Sequence, residues 1–112
     1  MERFVRGDII VIPFPFSDLS NFKRRPALVL TDLDGEDIII LQMTSKNRNK
    51  KYSIKISESD FKKGLLNIDS FVRCDRLYTL DKNIILKKIG NEKTEKYNKV
   101  LDKVISILKN NK

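Results

Sequence analysis

Two apolar runs, Ala27–Leu30 and Ile38–Leu41, stand on either side of Asp34-Gly35. A dipeptide able to reach positive φ between two such runs is a strong short-range signal for a β-hairpin. It constrains this chain more than any other stretch, because a hairpin fixes which residues face each other. The pattern predicts strands over Pro26–Thr31 and Asp37–Thr44. Counting outward from the turn, Arg25 and Thr44 are each nine or ten residues away. In perfect register they stand nearly opposite, about 5 Å apart at their Cα atoms.

Arg25 ends a polar loop, Phe16–Arg25, whose last three residues are Lys23, Arg24 and Arg25. Pro26 fixes its own φ and biases Arg25 toward extended backbone. A guanidinium held at the mouth of a strand is a pre-organised anion site that needs no metal. By default such a loop is only a solvated turn. Thr44-Ser45 leads directly into a second basic turn, Lys46–Lys51, which contains Arg48 and no acid. Guanidinium, hydroxyl and two basic loops on one rim suit a phosphodiester: Arg25 grips phosphate oxygens while Thr44 gives or relays a hydrogen bond. Ser45, Lys46 and Arg48 are further candidates for contact with the polyanion.

The remaining chain extends the β pattern. Ile9–Ile12 is a β-branched run whose pairing Pro13 and Pro15 are expected to stop. Tyr52–Ile56 alternates as a half-exposed strand, and Ser57–Gly64 reads as a short helical turn ended by Gly64. Further strands are expected over Asp69–Leu77 and Ile84–Ile89, separated by a turn at Thr79–Lys82. Gly90 then breaks the β pattern. Asn91–Asn110 carries apolar residues at 97, 100, 101, 104, 105 and 108, one face of a helix, with Glu92 and Glu95 in its first turn. The expected fold is mainly β: a small barrel or strongly curved sheet with one C-terminal amphipathic helix. The acids Asp32, Asp34, Glu36 and Asp37 read as a solvated turn that protects a sheet edge.

Composition narrows the chemistry. The 112 residues are expected to form one domain, 1–112, in an ordinary soluble composition, 40% hydrophobic and 34% charged. The net charge of +8 is uneven: residues 1–45 carry −2 and residues 46–112 carry +10. Such a field suits nucleic acid, an acidic protein or an anionic surface. With no histidine and one cysteine, a histidine base and the usual zinc sets are excluded. No phosphate-cradling glycine motif is present. Cys74 reads as a small buried strand residue in a reducing compartment. No leader-like start and no apolar span of ~20 residues is found, so the expected location is cytoplasmic, with no membrane contact.

Four segments, RGDIIVIPFPFSD at Arg6–Asp18, RRPALVL at Arg24–Leu30, LQMTSK at Leu41–Lys46 and DSFVRCDRLYTLD at Asp69–Asp81, occur in the order found in one family. Together with the C-terminal amphipathic helix, they make the chain resemble the MazF/PemK toxin ribonucleases over essentially its whole length. The resemblance implies an SH3-like β-barrel and a homodimer. It implies metal-independent cleavage of single-stranded RNA, mRNA included, with 2′,3′-cyclic phosphate and 5′-hydroxyl ends and no cofactor. It places the catalytic arginine on Arg25 and the catalytic threonine on Thr44, with RNA contacts at Ser17, Lys23, Arg24, Ser70 and Arg76. It further implies a cognate acidic antitoxin that covers the site and binds DNA as a complex with the toxin. The first loop here, SDLSNFKR, lacks the glycines many members carry, so RNA preference does not transfer. The competing expectation is a non-catalytic nucleic-acid-binding barrel of the same fold.

Overall fold

The computed structural model describes residues 3–14, 23–46, 51–64 and 70–110. Among these, seven strands form one antiparallel sheet: β1 (Asp8–Phe14), β2 (Lys23–Asp32), β3 (Asp37–Thr44), β4 (Ser53–Ile56), β5 (Phe61–Gly64), β6 (Ser70–Asp81) and β7 (Lys87–Glu92). Helix α1 (Thr94–Lys109) follows. The strand order is β4-β6-β3-β2-β1-β7-β5. The two outermost strands, β4 and β5, are therefore consecutive in the chain, joined through a 3₁₀ turn at Glu58–Asp60. A link of five residue steps spans at most about 17 Å, so the sheet must curl until its edges approach. This is the curved, barrel-like sheet with a terminal helix that the sequence predicts.

Both faces of the central strands are buried, which explains their continuous apolar runs. On one face Ile9, Leu28, Leu41, Met43 and Val72 pack beneath Tyr97, Val100 and Val104 of α1. On the other, Ile10, Ile12, Ala27, Val29, Ile38 and Ile40 form a second cluster with Phe4. The Tyr97 hydroxyl donates to the Leu30 carbonyl and fixes the helix to β2. Cys74 is 2% exposed, and burial pushes its thiol up to about 12. It is the small core residue expected.

Several boundaries differ from the sequence reading. Pairing does not stop at Pro13, which lies opposite Arg24, and β1 runs on to Phe14. The Val11 carbonyl accepts the Leu86 N–H at 2.9 Å, so polar backbone groups at odd positions face β7. The N–H that Pro13 lacks is on that side, where the β1–β7 ladder has already ended at Val11↔Lys87. Pro13 therefore costs neither ladder a hydrogen bond.

The hairpin loop spans 33–36, and only Asp34, at φ 65°, takes the left-handed region; Gly35 does not. Its strands are central rather than edge strands. The acidic turn is tied down rather than simply solvated, since Lys82 Nζ lies 2.6 Å from Asp32 Oδ1 and donates to the Gly35 carbonyl. The expected helical turn over Ser57–Gly64 is a 3₁₀ turn only to Asp60, followed by β5. β6 runs through the expected turn to Asp81. β7 begins later than expected and passes through Gly90, which pairs with Ile9 and with Gly64. Glu92 therefore ends a strand, 2% exposed, and does not open the helix.

Candidate functional site

Register assembles the site. The β2–β3 ladder runs Val29↔Ile40, Leu28↔Leu41, Ala27↔Gln42 and ends there. Two positions further along this register stand Arg25 and Thr44. Neither leaves the sheet: Arg25 is paired with Ile12 on β1, and Thr44 with Phe71 on β6. Pro26 accounts for the break. It lies opposite Val11, whose polar groups face β7, so the N–H that Pro26 lacks is the one that would have faced β3. The sheet thus parts between its two central strands, with Arg25 on one lip and Thr44 on the other. Arg25 is consequently the third residue of β2, not the end of a loop.

Period-two alternation decides the face. Ala27 and Val29 belong to the cluster opposite the helix, and so does Ile12, the partner of Arg25. Arg25 therefore shares that face. Thr44, in step with Ile38 and Ile40, shares it too. Both are half-buried, whereas Arg24, one residue away, is exposed and faces the other way. Alternation thus separates the two arginines.

Thr44 Oγ1 accepts the Lys46 N–H at 3.2 Å. A hydroxyl that accepts from the backbone keeps its own proton free to donate outward. Ser45 and Lys46 continue past the strand end and are exposed. Lys23 opens β2 opposite Phe14, with only its backbone described. Ser17 and Arg48 lie outside the described residues.

Of the two β6 candidates, Ser70 is 5% exposed and alternates with Val72 and Cys74 toward the helix side, away from Arg25 and Thr44. Arg76 is exposed, within the stretch where the β3–β6 register shifts.

The same face carries polar groups that the sequence reading missed. Gln42, 8% exposed, stands two residues before Thr44 and directly across from Ala27. On β6, Phe71 pairs with Thr44, and Arg73 follows it on that face. Arg73 donates twice to Asp75, from Nε to Oδ1 at 2.9 Å and from a terminal nitrogen to Oδ2 at 2.8 Å. This pairing holds the Asp75 carboxyl below its usual range and raises Arg73 further. A signal for Gln42 was present: it is the one polar residue within the apolar run Ile38–Met43. Nothing in composition pointed to the Arg73–Asp75 pair, because the face of β6 depends on where its register shifts.

The arrangement offers a fixed cation and an outward hydroxyl proton across a gap in the sheet, on a floor made of the small Ala27. That is the equipment for holding and stabilising a phosphate. The chain has the fold of several solved structures. A MazE–MazF crystal structure from Deinococcus radiodurans superposes with TM-score 0.77 at 18% identity, covering 96% of this chain and 97% of that one. An endoribonuclease in complex with its cognate antitoxin, from a mycobacterial species, gives 0.75 at 16% identity and covers 95% of each chain. A mycobacterial endoribonuclease gives 0.73 at 19%, covering 96% and 93%. No individually curated protein matches the sequence. The profile of the PemK-like, MazF-like toxins of type II toxin–antitoxin systems matches residues 5–108, and this chain belongs to that family.

Proposed function

We propose that this toxin is a metal-independent endoribonuclease that cuts single-stranded RNA, mRNA included. The 2′-hydroxyl attacks the adjacent phosphorus and the 5′-oxygen leaves, giving a 2′,3′-cyclic phosphate and a 5′-hydroxyl. The observation that carries this reading is the register that sets Arg25 opposite Thr44 where the central ladder opens. Arg25 binds the non-bridging oxygens and stabilises the phosphorane. A guanidinium holds its proton too firmly to serve as general base, so its role is electrostatic. Thr44, backed by the Lys46 amide, donates to the phosphate. Lys23, Ser45, Lys46 and Arg76, with Ser17 and Arg48, track the strand on either side of the cut.

Family membership and the antitoxin-bound neighbour support a cognate acidic antitoxin as partner. The net charge of +10 over residues 46–112 suits both an acidic segment and RNA. A homodimer, action in the cytoplasm and DNA binding as a complex with the antitoxin complete the proposal. No helix among the described residues is long and apolar enough to cross a membrane.

The test is a long single-stranded RNA incubated with the protein in EDTA, beside Arg25→Ala, with the new ends mapped. Discrete cuts with 5′-hydroxyl ends, absent from the variant and from a substrate with deoxyribose at the scissile position, are expected. Equal cutting by a folded Arg25→Ala protein would sink the assignment. Salt-sensitive RNA retention without cleavage would convert the reading to a binding barrel.

A further inference from the structure

We propose that Gln42 is a positioning residue for Arg25, its side-chain oxygen accepting a hydrogen bond from the guanidinium when RNA is bound. The inference rests on the assignment of Arg25 and Thr44 as the cleaving pair. Its starting point is an unpaid polar group: Gln42 is 8% exposed, and its Oε1 is fully buried with no hydrogen-bond partner. Leaving a buried acceptor unsatisfied is destabilising, and an apolar residue of the same shape would be neutral or better there. The neighbours of Gln42 on β3, Leu41 and Met43, are fully buried apolar side chains. A glutamine kept in such a run at a cost in stability points to a use elsewhere.

Placement says which use. Gln42 lies directly across from Ala27, and Arg25 is two residues from Ala27 on the same face. Arg25 is therefore the diagonal cross-strand neighbour of Gln42 at the point where the ladder opens; in a closed ladder that diagonal is roughly 7–8 Å at the Cα atoms, a span that long side chains bridge. Ala27 contributes only a methyl group between them. Among other donors on this face, Arg73 is committed to Asp75 by two hydrogen bonds. Thr44 is the hydroxyl assigned to the phosphate. Arg25 carries five donors in a rigid fork, more than a phosphate uses in a bidentate grip. An acceptor behind the guanidinium would take up one inner N–H and aim the outer pair across the gap toward Thr44. The oxygen is enclosed by protein, so a neighbouring side chain is better placed to reach it than a base of the substrate.

The discriminating experiment measures single-turnover cleavage, RNA affinity and thermal melting for the full chain and for Gln42→Met, Gln42→Glu and Arg25→Ala. Methionine preserves length and volume but removes the acceptor; glutamate keeps an oxygen at that position. The expected result is an inactive Arg25→Ala and a Gln42→Met whose cleavage step slows by roughly tenfold to a hundredfold. Its RNA affinity should be unchanged and its melting temperature equal to or above that of the parent. Gln42→Glu should recover most of the rate. A fully active Gln42→Met beside an inactive Arg25→Ala would overturn the role of Gln42 while leaving the site intact. Slowing that merely follows lost folded protein, equal in the two Gln42 variants, would overturn it as well. An active Arg25→Ala would remove the site on which the inference rests.

Discussion

Asp8 and Gln42 are both buried polar side chains on central strands, and the fold treats them in opposite ways. Asp8 opens β1 at 2% exposure and is fully engaged. Its Oδ2 accepts the Val5 N–H at 2.8 Å, its Oδ1 accepts the Asn91 side-chain amide at 2.7 Å, and Lys88 Nζ lies 3.4 Å away. Gly7 beside it takes φ 88°, a conformation costly for any residue with a Cβ, and its carbonyl accepts the Glu92 N–H. That end of the sheet is a knot that joins β1, β7 and the N-terminal segment. Gln42, at the opposite end, has an oxygen with no partner. Satisfied buried polarity marks where the molecule holds itself together. The unsatisfied oxygen lies instead beside Arg25 and Thr44, the two residues proposed to hold the phosphate.

Substitutions at the two ends should therefore separate activity from stability. The largest effect belongs to Thr44→Val, which removes the hydroxyl but keeps the shape. Single-turnover cleavage should fall by ~10²–10³, with the denaturant midpoint little changed. A parallel loss of stability would mean that Thr44 belongs to the structural end after all. Asp8→Ala should do the reverse, lowering unfolding free energy by about 2–4 kcal/mol as Asn91 and Lys88 lose their acceptor. Cleavage per folded molecule should stay the same, as measured by activity below the melting transition.

Glu92 is the exception at the knotted end. Neither of its carboxyl oxygens has a hydrogen-bond partner. Burial first, and the nearby Asp60 second, push it up to about 8, against a smaller opposing effect of Lys96. It is protonated in the native state at neutral pH and ionised in the unfolded chain. Its contribution to stability is therefore complete below about 4.5 and declines as pH rises toward about 8. Unfolding free energy should fall across that window by up to ~1.4 kcal/mol per pH unit. Glu92→Gln should flatten the profile; an unchanged slope would show that Glu92 is solvated. The smallest effect is expected at Gly35, where an added Cβ would meet nothing within 4 Å and φ is not positive. Gly35→Ala should move stability by less than about 0.5 kcal/mol, and a larger loss would show that the turn depends on glycine.

What the sequence made legible follows the same division. The hairpin of β2 and β3 was readable because long apolar runs flank a turn, and β3 begins and ends at the expected residues, Asp37 and Thr44. That register alone brought Arg25 and Thr44 together. The outer rows were harder. β5 reads FKKG and β7 reads KKIGNE, so neither carries an apolar run, and both join the sheet by backbone pairing to a neighbour remote in sequence. Gly90 and Glu92 looked like a strand breaker and a helix-capping acid because β1 and β5, which enclose them, are invisible from their local context. Gln42 escaped notice because its meaning depends on the phase of alternation, which only the paired register supplies.

The adjacency of β4 and β5 at the two sheet edges also sets an order of assembly. Among the described residues, β5 pairs only with β7, and β7 pairs onward only with β1, far away in the sequence. Contacts between such distant segments close large loops and form late. The β1–β2–β3 meander is local and leaves the ribosome before β7 and α1, with the lips that carry Arg25 and Thr44 already in sequence. The apolar face beneath Tyr97, Val100 and Val104 stays uncovered until α1, which follows all seven strands, has been synthesised. During synthesis, β2 and β3 precede the helix that covers their other face.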